Sequence, residues 1–385
     1  LPRKDGQGGH RMEEIDNEKL FRAAFRTIKG VGSQHLRLLI AYFGSAVQAW
    51  EASHKDYLKI APRGKWVAEV LKERKRIDPW KIGADLKSRN IKVVTPKDCN
   101  YPPLLLELTD IPPLLYYQGN LESNSAVIAI VGSRQATAYG KSAARMLARD
   151  AAAQGLVVVS GLARGIDTAA HQGSVEGYGI TWAFLGCGLD QIYPRENYHL
   201  AKEILDRGAL ISEFPPGTPP LAANFPARNR LISGSSQGVI VVEAAERSGA
   251  MITVDFALEQ GREVFAVPGP IFSPQSRGPH ILLRQGAKIA EGIEDIWNEC
   301  FSSLEVKAVK NVLSEQQTYQ GERFPETDDQ RAILQQLSDV PLHIDQLALH
   351  SSLSVASLSL ALLELQLQGK IKQLPGQNYV LVREC

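Results

Sequence analysis

Five segments of this 385-residue chain combine glycine, hydroxyl and arginine residues at spacings suited to holding a phosphate. Val131 opens VGSRQATAYG, with Gly132, Ser133 and Arg134, and Ser160 opens SGLARGIDTAAH, with Gly161, Arg164 and Gly165. Gly186 opens GCGLDQIYPRENYHL, with Arg195, Asn197 and Tyr198. Phe225 opens FPARNRLISG, with Arg228, Asn229 and Arg230, and Val242 opens VEAAERSGAMIT, with Arg247, Ser248 and Gly249. Glycines let backbone amides approach phosphate oxygens, helix N-termini add partial positive charge, and guanidinium forks bind phosphates bidentately. One such loop is ordinary turn chemistry. Five together imply a phosphate-bearing ligand.

Several chemistries are excluded by what is missing. No Gly-Lys-Ser/Thr closes either glycine loop, so neither is a P-loop, and Gly132 is followed by Ser-Arg instead of the dinucleotide fingerprint. Cys99, Cys187, Cys300 and Cys385 have no paired spacing, which argues against a zinc knuckle or disulfide framework and fits a reducing cytoplasm. His171 has no metal-ligand partner at helical spacing and reads as a helix face packed on a sheet. Asp167 reads as an N-cap, and Glu243, at a strand end, reads as the carboxylate that orients Arg228 or Arg230. Ser160 and Ser248 lack a nucleophile-elbow context. With no catalytic set, the expectation is a binding protein and not an enzyme, with no cofactor and no metal. Lys and Arg number 43 against 42 Asp and Glu, so any anion site depends on where the charges sit. No apolar run approaches the roughly 20 residues that span a bilayer.

The elements that must position these loops follow from periodicity. Val127–Val131, Leu156–Val159, Ile180–Leu185, Ala209–Ser212, Val239–Val242 and Val264–Val267 are short apolar runs bounded by Gly or Pro, and read as strands. Helical patterns lie between them at Tyr139–Gln154, Asp167–Glu176, Asn197–Arg207 and Thr253–Gln260. Alternation of this kind predicts an α/β fold: an extended Rossmann-like, doubly wound, mainly parallel sheet over residues 91–299. Its ligand site belongs beyond the carboxyl ends of the strands, where the five segments fall. Ile91 to Leu121, with two Pro-Pro pairs, is expected to wrap the sheet as an added piece.

Residues 1–14 read as a disordered start and residues 15–80 as a small helical domain. Its Gly30-Val31-Gly32 turn resembles a helix-hairpin-helix (SAM-like) element. Two readings stand for it: amides that hold a DNA phosphate, or a packing domain without DNA contact. Residues 301–325 read as a polar linker. Residues 326–385 read as a winged helix, with helices at Gln330–Leu337, near Ile344–Leu349 and at Ser354–Gln368, then a two-stranded wing. From Asp328 onward, Arg331, Lys370, Lys372 and Arg383 face Asp328, Asp329, Asp339, Asp345, Glu364 and Glu384. The third helix has no basic residue, so this unit is expected to dock a partner or support a dimer instead of reading duplex DNA.

In order along the chain, VGSRQATAYG, SGLARGIDTAAH, FLGCGLDQIYPRENYHL, ISEFPPGTPP, FPARNRLISG, VVEAAERSGAMIT and GREVFAVPGP resemble the DprA/Smf DNA-processing family, densely from Tyr101 to about Trp297. The resemblance implies a cytoplasmic protein that binds single-stranded DNA in a basic pocket and protects it. It further implies dimerisation through the Rossmann-like domain and loading of the RecA recombinase in natural transformation. By the same resemblance Gly132, Ser133 and Arg134 hold phosphate, Arg195 takes the place of the pocket's basic residue, and Tyr198 stacks on a base. Asn197, Lys202, Arg228, Asn229 and Arg230 are further DNA-binding candidates, with Gly161, Arg164, Gly165, Ser248 and Gly249 from the glycine loops. A competing reading is a nucleotide-processing hydrolase of the LOG type. Its Pro-Gly-Gly-x-Gly-Thr loop is absent here, where Arg247-Ser248-Gly249-Ala250 stands instead. A nucleotide-sensing scaffold is a third class.

Overall fold

The computed structural model describes residues 15–61, 64–121, 126–302, 328–337, 342–351, 355–367, 370–374 and 378–381. The expected disordered start and nearly all of the expected linker lie outside them. The chain forms two compact units, Leu1–Val309 and Lys310–Cys385.

The first unit is organised by a nine-stranded sheet. Its strands are β1 (Lys92–Val94), β2 (Leu115–Gly119), β3 (Val127–Val131), β4 (Val157–Ser160), β5 (Thr181–Leu185), β6 (Ala209–Ser212), β7 (Gly238–Val241), β8 (Glu263–Ala266) and β9 (Lys288–Ile289), in the spatial order β1-β2-β6-β5-β4-β3-β7-β8-β9. From β6 to β9 every pairing is parallel. β2 runs antiparallel to both β6 and β1. The stretch expected only to wrap the sheet therefore extends it by two strands. Tyr101 Oη, donating to the Pro112 carbonyl at 2.9 Å, pins the irregular chain between them.

Strands β3 to β6 are buried throughout, as a parallel sheet covered on both faces requires. Their side chains alternate between faces. Ala129, Val131, Val157, Val159, Trp182 and Phe184 share one cluster, and Ile128, Ile130 and Val158 another. The second face is covered by α7 (Ala138–Ala153) and α8 (Ile166–Glu176). Toward β5 and β6 that face passes to a third cluster, where Ala183, Leu185 and Leu210 meet Phe25, Leu36 and Leu39. Those residues come from the N-terminal helices α1 (Asn17–Thr27) and α2 (Ser33–Phe43), which precede α3 (Ala46–Glu51), α4 (His54–Ile60), α5 (Lys65–Glu73) and α6 (Pro79–Ser88).

After β5 come a 3₁₀ turn at Arg195–Asn197 and α9 (Tyr198–Arg207). After β6 comes α10 (Asn224–Gly234), then α11 (Gly249–Glu259), α12 (Arg277–Arg284) and α13 (Ile293–Cys300). FPARNRLISG, grouped above with the strand-end loops, is thus helical. This helix carries the chain from β6 across to β7 on the far side of β3. The order in which strands are added reverses there, so the β3/β7 boundary is the switch point where such folds bind ligands.

In the second unit α14 (Asp328–Leu334), α15 (Ile344–Ser351) and α16 (Val355–Leu367) accompany β10 (Leu342–His343), β11 (Ile371–Leu374) and β12 (Asn378–Leu381). The sheet order is β10-β12-β11, antiparallel throughout, so the expected two-stranded wing gains a third strand. Ile333, Leu347, Leu358, Leu362, Leu365, Ile371 and Tyr379 form its core.

Candidate functional site

The floor of the site is where the β3 and β7 loops touch. Ser133 N donates to the Glu243 carbonyl at 2.6 Å. The buried Glu243 carboxylate accepts from Thr137 N at 2.8 Å and from Thr137 Oγ1 at 2.6 Å. Glu243 was expected to orient Arg228 or Arg230, and it does neither. It satisfies the start of α7, where unpaired amides need an acceptor.

Arg228 is 3% exposed and makes its hydrogen bonds inside the fold. Its Nη1 donates to the Gly161 carbonyl and, at 2.7 Å, to the Phe184 carbonyl. Its Nε donates to Asn229 Oδ1 at 3.1 Å. Burial, opposed by Asp167, pulls its pKa down to about 10, so it remains a cation at neutral pH. A Cβ on Gly161 would overlap this guanidinium, which is why the β4 loop needs glycine there. Arg230 pairs with Glu213 at 2.6 Å and Asp110 at 3.1 Å. Asn197 Nδ2 donates to the Leu162 carbonyl at 2.8 Å and Thr168 Oγ1 at 2.9 Å, clamping the 3₁₀ turn to the β4 loop. Helix phase and loop packing turn these three candidates inward, where they hold the loops together.

Asp167 is not the N-cap of α8. Gly165 is, with φ +78°, and a Cβ there would meet the Ser133 carbonyl. Asp167 lies in the first turn and accepts from Ala163 N at 3.3 Å; burial raises its pKa while Arg228 opposes the rise. His171 packs against the sheet as expected. Thr181 Oγ1 donates to the Val158 carbonyl, leaving its oxygen to accept from His171 Nδ1 at 2.7 Å, while Nε2 accepts from Leu162 N at 3.3 Å. The ring is therefore the neutral Nδ1–H tautomer, with its pKa pushed down to about 3 by burial first and Arg228 second.

Of the other candidates, Arg134, Arg164, Arg195, Tyr198, Lys202 and Gly249 face outward. Arg134 is exposed, its guanidinium 5.0 Å from the Phe225 ring centroid. Arg195 is exposed on the rim of an open pocket of about 840 Å³ that Tyr193, Tyr198 and His199 also line. Tyr198 is 48% exposed, and Lys202 Nζ sits 4.7 Å over its ring. Arg164 is exposed but engaged, forking onto Glu196 at 2.9 and 3.0 Å. Gly132 lies beside Ile166 and the Glu243 carbonyl, and Ser133 Oγ accepts from Gln135 N at 3.1 Å. Asn229 is half-buried and donates to the Gly249 carbonyl at 3.2 Å; Gly249 is exposed at the head of α11, and Ser248 precedes it.

Among the described residues, Arg134, Arg195, Arg247, Arg277 and Arg284 have no hydrogen-bond or ion-pair partner on their side chains. The first four follow β3, β5, β7 and β8 on the carboxyl edge. That edge concentrates uncompensated cations with aromatic rings between them, an arrangement suited to phosphates and bases together. Sequence reasoning missed Phe225, which lies between Arg134 and Arg228 at 5.0 and 5.7 Å, with Tyr193 at 5.9 Å. Its signal was available: once FPARNRL is helical, Phe225 and Arg228 share a face three residues apart. Arg277 was missed as well.

The model of the DNA recombination-mediator protein A family matches residues 92–301, more than half of the chain. The chain belongs to this family. The DprA winged helix domain model matches residues 320–377. Protein Smf of Escherichia coli strain K12 is 43% identical over 290 residues, covering 74% of this chain and 76% of that protein. Protein Smf of Synechocystis is 32% identical over 397 residues, covering 94% of this chain and 99% of its own length. The X-ray structure of DNA processing protein A from Streptococcus pneumoniae superposes with a TM-score of 0.65 at 35% identity, covering 75% of this chain and 99% of that one. The DprA family is therefore shown by sequence and by fold. No helix among the described residues is long and apolar enough to cross a membrane.

Proposed function

We propose that the protein binds single-stranded DNA without sequence preference on the carboxyl edge of its parallel sheet, protects it and passes it to the RecA recombinase as a homodimer. The observation that carries the reading is the group formed by Arg134, Arg195 and Tyr198. Arg195 and Tyr198 line one open pocket, and Arg134, 5.0 Å from the Phe225 ring, stands on the same edge of the sheet; neither guanidinium has a polar partner among the described residues. Phosphates would engage the arginines, and a base would stack on Tyr198, an interaction that every base can make. Family membership supports a recombination role. The transfer to RecA, dimerisation through the Rossmann-like unit and a cytoplasmic location rest on the family resemblance.

Binding without catalysis is the better chemical fit. The buried carboxylates beneath the site are engaged: Glu243 by Thr137, Glu213 by Arg230 and Asp167 by Ala163. The test is fluorescence anisotropy with a labelled oligo-dT over a salt series. Tight, salt-sensitive binding that duplex competes for poorly supports the reading. Binding of a mononucleotide that oligonucleotides do not displace would replace it with the hydrolase or nucleotide-sensor readings.

A further inference from the structure

Among the described residues, the two most exposed large apolar side chains lie on the carboxyl edge. Phe272 is 93% and Ile271 78% exposed. They occupy the two corners of a tight turn after β8, closed by Ser273 N donating to the Pro270 carbonyl at 3.0 Å. Turn corners ordinarily carry Gly, Pro, Asn, Asp or Ser, so an Ile-Phe pair there is unusual. Both feet of the turn are fastened. Tyr139 Oη donates to the Pro268 carbonyl at 2.6 Å, and His280 Nε2 meets the Gly269 carbonyl at 3.0 Å. On the other side Ala244 N donates to the Gln275 carbonyl at 2.7 Å and Gly278 N to the Ala244 carbonyl at 2.8 Å. The pair is held out by well-bonded backbone.

Along its own segment, from Val267 to Ala290, the chain has Arg277, Arg284 and Lys288 and no acidic residue, although Lys288 pairs with Glu263 and Glu299 and Glu246 precedes Arg247 in the β7 loop. Arg277 follows the turn directly, and the anchoring bonds at Ala244 tie it to the β7 loop that carries Arg247. Neither arginine has a polar side-chain partner among the described residues. β8 is parallel to β7 and β3, so the turn leaves the sheet on the same edge as Arg134 and Arg195. Four strand steps separate β8 from β5, or about 19 Å at ordinary spacing.

We propose that the Ile271–Phe272 turn is a second base-stacking subsite for single-stranded nucleic acid, with Arg247 and Arg277 as its phosphate contacts. A strand held at Tyr198 crosses the switch point and is gripped again at Phe272. The proposal rests on the single-strand reading above and adds a track length to it. Arg247 and Arg277, which have no polar side-chain partner among the described residues, favour a polyanion over an apolar protein partner.

The full chain is titrated with labelled oligo-dT of about 5 and about 20 nucleotides, bracketing ordinary single-strand site sizes. Phe272→Ala is expected to weaken the longer oligonucleotide about tenfold, leave the shorter unchanged and keep the wild-type circular dichroism. Phe272→Tyr is expected to restore long-strand affinity, and Arg277→Ala to lower the salt dependence for the long strand alone. Equal binding of both lengths by Phe272→Ala and wild type overturns the subsite, as does an equal loss at both lengths. Unchanged DNA affinity with an altered mass in light scattering makes the turn a contact between protein chains, which also overturns it. If wild type binds neither oligonucleotide, the single-strand reading itself fails, an outcome distinct from the others.

Discussion

The Arg228 guanidinium occupies the space that a side chain on Gly161 would need, and it donates to the carbonyls of both Gly161 and Phe184. A buried cation thus fastens α10 to the ends of β4 and β5, directly beneath the exposed arginines. Gly161→Ala is expected to destabilise the first unit by about 1–3 kcal/mol through overpacking. In an Arg228→Ala background the same substitution should cost much less, because the two residues share one volume. Urea unfolding of the four proteins measures the coupling; additive losses would contradict it.

Arg134→Ala and Arg195→Ala should each weaken oligo-dT binding about tenfold and reduce the salt slope by roughly one. Arg164 provides the contrast, since Glu196 already holds it at 2.9 and 3.0 Å. Arg164→Ala is expected to change affinity little, whereas Glu196→Gln should raise it by releasing the guanidinium. Anisotropy across a salt series reads all four effects.

Tyr198→Ala should lower single-strand affinity by a factor corresponding to about 1–3 kcal/mol, and Tyr198→Phe should retain most of it. A large loss with phenylalanine would mean that the hydroxyl, and not the ring face, carries the contact.

His171 makes stability depend on pH. Its pKa falls from 6.5 to about 3 on folding, so between those values the unfolded chain binds the extra proton. The stability contributed by the neutral buried ring is complete above pH 6.5 and is lost as pH falls toward 3, by about 1.4 kcal/mol per pH unit. The nearby Asp167 has its pKa raised by burial, so its effect on stability runs the other way as pH falls. The difference between wild type and His171→Gln isolates the histidine. Urea midpoints at pH 7 and pH 5 should fall more for wild type.

Removing residues 326–385 is expected to leave duplex affinity nearly unchanged, since four basic residues face six acidic ones from Asp328 onward. A clear loss of duplex binding by gel shift would assign DNA contact to the winged helix.

Much of this was legible from residue order alone. Val127–Val131 and Ala209–Ser212 were read at the bounds the strands adopt, because β-branched runs ended by Gly or polar residues leave little choice of period. The parallel sheet and the winged helix followed from the alternation of elements, and the carboxyl edge was located because strand direction determines where each loop emerges. Tertiary structure alone decided which arginines are available. FPARNRL places Arg228 beside Phe225 in any helix, but only the docking of α10 against β4, β5 and Glu213 buries the guanidinium groups of Arg228 and Arg230. Arg134 and Arg195 carry the same side chain in loops that follow β3 and β5. They remain exposed because no hydrogen-bond or ion-pair partner among the described residues takes up their guanidinium groups. Residue type and spacing are properties of the chain; burial and pairing of a charge depend on what long-range packing brings beside it.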